Sequence, residues 1–179
     1  MARQLDWTIL PSQAKNEAVV PSANHVYDLL NLTSNEAVVY GKRTWGINLV
    51  WTDPSKSDNI RFWRQSGSLA PIRYDELIAI NVRNGKWLIY QKRDTGVNLG
   101  WSDSPRFEWK ILGGTAGTEV MVATVVGLYS TVENDHLMYE TRDWGINLKW
   151  YNDAGKFQRF SDIVEAGKTV NDWRKELGF

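Results

Sequence analysis

Apolar and polar positions alternate in short runs along the whole chain, and the clearest run recurs. In TWGINLVW (44–51), Ile47, Leu49 and Trp51 alternate with Asn48 and Val50, the period of a strand with one buried face. Nearly the same octet returns as DTGVNLGW (94–101) and DWGINLKW (143–150). Two β-type runs precede each copy: VYDLLNL and AVVYGKR, then ELIAINV and KWLIYQKR, then TVVGLYS and HLMYETR. The connectors SNE, RNG and VEND have turn composition, which predicts hairpins. An aromatic run comes after polar punctuation, IRFWRQ and FEWKIL, and LDWTIL at the N-terminus supplies the matching start of the first copy. Each unit therefore has four predicted strands, with the octet forming a turn and the fourth strand. Gly46, Gly96 and Gly145 sit where that turn is expected to need positive φ.

The copies are in register. Tyr40, Tyr90 and Tyr139 each stand eleven positions before Trp51, Trp101 and Trp150, and the period is close to fifty residues. The units span about 5–55, 56–105 and 106–155 of a single domain, 1–179, and a short extension covers 156–179. In that extension Phe157 to Phe160 predict a closing strand, and Val170, Trp173 and Leu177 have helical spacing. The expected class is all-β.

Three four-stranded units are too few for a propeller of four to eight blades. Over about residues 5–155 they resemble a β-trefoil, a pseudo-threefold barrel closed by a cap of hairpins. The resemblance is to the superfamily: the QxW signature of ricin-B-type lectins and the cysteine pairs of plant trefoil inhibitors are absent. It implies twelve strands and, because many β-trefoils are lectins or carbohydrate-binding modules, a sugar site in each of several repeats.

Composition narrows the partners. With 179 residues, 42% of them hydrophobic, the chain can bury one sizeable core. Lysine plus arginine equals aspartate plus glutamate at 21 each, so net charge does not point to nucleic acid. There is no cysteine, no signal-like apolar run in MARQLDWTIL and no apolar stretch of membrane-spanning length. The expectation is a cytoplasmic or non-classically secreted protein without a membrane span.

Catalysis is not expected. His25 and His136 are the only histidines and neither has a companion at metal-ligand spacing; His136 is read as a solvated turn residue. No nucleophile elbow, phosphate loop or dinucleotide fingerprint appears, so the expected sets of metals, cofactors and catalytic residues are empty.

Binding is expected at the octets. Arg43, Arg93 and Arg142 recur, as do Asn48, Asn98 and Asn147, and both sets are read first as hairpin scaffolding and second as ligand donors. The residue before the turn glycine differs between copies: Trp45, Thr95 and Trp144. An indole at a hairpin tip covers a neighbouring hairpin or takes the C–H face of a pyranose, with nearby Asp, Asn and Arg groups for the hydroxyls. Copy three brings together Arg142, Asp143, Trp144 and Asn147; copy one has Thr44 in the aspartate position, and copy two keeps Asp94 without the indole. The expected ligands are glycans or glycoconjugates. The alternative is a protein-binding module, such as a protease inhibitor or toxin-associated module, acting through the connection 11–24 or the loop GGTAGT (113–118). Trp51, Trp101, Trp150, Trp7, Trp63 and Trp109 are assigned to the core, and Trp87 to a partly exposed position.

Overall fold

The computed structural model describes residues 5–11, 17–21, 23–54, 60–82 and 85–151. The extension with Phe157, Val170, Trp173 and Leu177 lies outside them. The described chain is all-β: β1 (Trp7–Pro11), β2 (Tyr27–Asn31), β3 (Glu36–Tyr40), β4 (Leu49–Thr52), β5 (Arg61–Arg64), β6 (Ile78–Asn81), β7 (Trp87–Tyr90), β8 (Leu99–Ser102), β9 (Trp109–Leu112), β10 (Val125–Ser130), β11 (Asp135–Tyr139) and β12 (Leu148–Trp150). Turn chemistry delimits the second and third strands of each group: Asn35, Gly85 and Asn134 all take positive φ, which Asn and Gly tolerate best.

Every strand pairing is antiparallel, and each group of four consecutive strands pairs in chain order, β1 to β4, β5 to β8 and β9 to β12. Between groups, β1 pairs with β10 and β9 with β6. The ladder is open between β2 and β5, where a single bridge joins Tyr27 and Ile60 through hydrogen bonds of 2.8 and 3.1 Å. The long connections between first and second strands meet in a ring of amides: Val19 N–H donates to Val120 O (2.7 Å), Val120 N–H to Ile72 O (2.8 Å) and Ile72 N–H to Val19 O (2.8 Å). All three side chains are fully buried, so this ring is part of the core.

The tyrosines and tryptophans that recur eleven residues apart meet across groups. Tyr40 meets Trp101 at 5.9 Å, Tyr90 meets Trp150 at 5.9 Å and Tyr139 meets Trp51 at 5.6 Å, each tilted or edge-on, so each group reaches across to another. Deeper still, Trp7 stacks on Trp51 and Trp109 on Trp150, both at 6.0 Å. The Trp7 indole N–H donates to Leu137 O (2.9 Å) and that of Trp109 to Leu88 O (2.7 Å), each crossing between groups.

Two assignments are corrected. Trp63 is not in the core. β1 and β9 bury Trp7 with Ile9 and Trp109 with Ile111, whereas the middle group buries Ile60 and Phe62. Strand side chains alternate, so an inward Phe62 turns Trp63 outward, where it lies half-buried and edge-on to Trp87 at 6.1 Å. His136 is not a solvated turn residue either: it lies in β11, is buried, and packs edge-on to Tyr129 at 5.1 Å.

Glu108 tethers the middle group to the third. Its carboxylate accepts the Tyr90 N–H, and its carbonyl accepts Thr131 N–H at 2.8 Å. Burial raises its pKa above the ordinary value, against the opposing pull of the Tyr90 amide and Arg106. A carboxylate with a raised folded pKa is no burden below its unfolded pKa and loses stability for the fold as pH rises through the folded value.

Two predictions follow from this packing. In urea unfolding, Trp109→Ala should lose about 3–5 kcal/mol, as for a fully buried aromatic, and Trp63→Ala less than half of that; equal losses would contradict the outward placement of Trp63. Glu108→Gln keeps an acceptor for Tyr90 without the charge. Its stability relative to the native protein should rise as pH is taken from about 4 to 7, and a pH-independent difference would contradict the buried-carboxylate reading.

Candidate ligand-binding surface at the hairpin tips

The third and fourth strands of each group are joined by eight residues, 41–48, 91–98 and 140–147. Each connection is closed by the same clamp: Asn48 Oδ1 accepts Arg43 N–H, Asn98 Oδ1 accepts Arg93 N–H and Asn147 Oδ1 accepts Arg142 N–H, all at 3.0 Å. Just beyond the tip, Ile47, Val97 and Ile146 are buried and anchor the turn to the core. Between clamp and anchor the chain must reverse, and Gly46, Gly96 and Gly145 do so at φ of 81°, 88° and 86°.

The three tips converge. A Cβ placed on Gly46 would lie 4.0 Å from the Gly145 Cα, and one on Gly96 3.9 Å from the Gly46 Cα. The preceding residues, Trp45, Thr95 and Trp144, are therefore neighbours around one point. Consecutive Cα atoms are about 3.8 Å apart, which puts the Cα atoms of Trp45 and Trp144 no more than about 13 Å from each other. Both indoles face solvent, 77% and 84% exposed.

The remaining predicted site residues divide by role. Asp94 and Asp143 are exposed beside the tips, and neither is in an ion pair among the described residues. Arg142 Nη1 donates to Leu148 O at 3.2 Å, running along its hairpin. Arg43 and Arg93 are half-buried, and each has a buried Nε with no hydrogen-bond partner among the described residues. Asn48, Asn98 and Asn147 spend their carboxamide oxygens on the clamp, and Asn147 Nδ2 also reaches Tyr139 Oη at 3.5 Å. The asparagines shape the turn, while the indoles and aspartates are presented to solvent.

The two loops considered for a protein partner lie elsewhere. The loop 113–118 is tied to the preceding group, with Gly117 N–H donating to Tyr74 O (3.0 Å), Tyr74 N–H to Thr118 O (2.9 Å) and Arg73 Nη1 to Gly117 O (3.0 Å). The connection 11–24 is described only in part; its second half, with Glu17, Ala18, Val20 and Pro21, lines a shallow hollow with His25 and the exposed Leu69. No helix among the described residues is long and apolar enough to cross a membrane. Nor do three His, Asp or Glu side chains come together there as metal donors.

Sequence reasoning missed the meeting of the tips. Its signal was the shared register of the three glycines, each of which takes positive φ at its tip. Comparison with protein-family models, curated proteins and solved structures finds no match.

If the clamp is structural and the indoles are not, the two should separate in thermal unfolding. Asn147→Ala, which orphans a partly buried amide, should lose about 1 kcal/mol. Trp45→Ala and Trp144→Ala should stay within about 0.5 kcal/mol of the native protein. A larger loss at either tryptophan would show that its ring is packed rather than displayed.

Proposed function

We propose that this protein is a β-trefoil that binds carbohydrate on the indole faces of Trp45 and Trp144. The trefoil reading is supported by the pairing order: taken with the Tyr27–Ile60 bridge, the first and second strands of the three groups follow one another as β1, β2, β5, β6, β9, β10 and back to β1. The third and fourth strands then form the three cap hairpins. The cyclic Tyr–Trp contacts, the amide ring and the converging glycines follow the same threefold order.

One observation carries the binding reading. Two tryptophans are almost wholly exposed on clamped, anchored turns, while the fourth-strand tryptophans Trp51, Trp101 and Trp150 pack against the interior. Leaving such rings in water is unfavourable unless a ligand covers them. A pyranose suits the surface: its C–H face covers an indole, and Asp143 and Asp94 accept from hydroxyls. The turns change little on ligand arrival, which limits the ordering cost of binding.

A glycan-array screen of the protein beside its Trp45→Ala/Trp144→Ala variant tests this. Selective binding that the variant loses, with folding intact, is the expected result. Binding that survives in the variant, or no glycan bound at all, would overturn the assignment.

A further inference from the structure

We infer that the saccharide taken by this surface is acidic, carrying carboxylate or sulfate groups, and that one chain spans both indoles. The inference rests on the carbohydrate reading above and specifies its ligand.

The first observation is charge. Lysine and arginine balance aspartate and glutamate over the whole chain, but the tips are uneven: Lys42, Arg43, Lys92, Arg93 and Arg142 stand against Asp94 and Asp143. All seven lie within four positions of the three converging glycines, so they surround the meeting of the tips. None is in an ion pair among the described residues, whereas Lys149, four positions after Gly145, is paired with Glu140 at 3.2 Å and adds no net charge. The tip end therefore presents a local excess of positive charge on a chain of zero formal net charge, and a concentrated field of that kind recruits anions.

The second observation is the pair of buried Nε atoms on Arg43 and Arg93 without a hydrogen-bond partner among the described residues. The Nε atoms themselves are sealed from solvent, so contact with carboxylate or sulfate oxygens falls to the outer nitrogens of these half-buried planar forks, which make no hydrogen bond to the described residues. The third observation is distance. Expected sites on separate repeats would act as independent, multivalent contacts, but indoles whose Cα atoms lie within about 13 Å form a single platform. Thr95 on the third tip adds a hydroxyl rather than a ring.

The test uses isothermal titration with a heparin-derived hexasaccharide and its desulfated, carboxyl-reduced counterpart, and with sialyllactose beside lactose. Vesicles of phosphatidylserine and phosphatidylcholine are added as a separate arm. At least one acidic member should bind about tenfold more tightly than its neutral partner, and the preference should fall at high salt. Trp45→Ala/Trp144→Ala should abolish that binding. Lys42→Gln/Lys92→Gln, which changes two exposed side chains outside the clamp, should weaken the acidic ligand about tenfold and leave any neutral binding unchanged. Equal affinity for neutral and acidic members, lost in the tryptophan variant, would overturn this inference while leaving the carbohydrate reading in place. Tryptophan-dependent binding to anionic vesicles with no saccharide bound would overturn both in favour of a lipid surface.

Discussion

Three tyrosine–tryptophan contacts hold the architecture together, because each joins two different four-stranded groups. Tyr40 with Trp101, Tyr90 with Trp150 and Tyr139 with Trp51 form a cycle, and none of the rings finds that partner within its own group. Such a pair adds about 0.5–1.5 kcal/mol beyond the area it buries. The indole N–H groups of Trp51, Trp101 and Trp150 are buried without a partner among the described residues, which costs part of that gain. The rings are therefore held by their apolar faces. Within each group the tyrosine ends the third strand and the tryptophan sits in the fourth, on either side of the eight-residue connection.

The clamped connection is what the surface chemistry builds on. The asparagine clamp and the buried Ile or Val on the other side of the glycine hold each tip from both flanks. Between them only two or three side chains point outward, and these are the positions where the copies diverge: Thr44 and Trp45, Asp94 and Thr95, Asp143 and Trp144. Convergence of the glycines gathers the divergent positions onto one face. The three turns thus share one clamp while the displayed surface differs between them, with two rings, two carboxylates and an excess of cations.

Much of this was legible in the sequence, for local reasons. Strand count, turn positions and the positive φ at Gly46, Gly96 and Gly145 follow from period-two alternation and from residues with special backbone freedom. What was not legible depends on pairing between distant strands. Trp63 reads like Trp7 and Trp109 because each lies in a similar aromatic run, yet the face it shows is set by the burial of Ile60 and Phe62. His136 reads as the end of a turn, yet pairing of β11 with β10 draws it into the sheet opposite Tyr129. Likewise, no local pattern says that three turns about fifty residues apart meet at a point.

The most direct measurement is the indole region of an amide–proton correlation spectrum, recorded during hydrogen exchange and then during titration with an acidic oligosaccharide. The account predicts that the Trp45 and Trp144 indole N–H signals exchange fastest and shift together on titration. Trp7 and Trp109, which donate to Leu137 and Leu88, should exchange slowly and stay in place. Protection of Trp45 and Trp144 in the free protein, or shifts on titration that leave both of their indole signals in place, would contradict it.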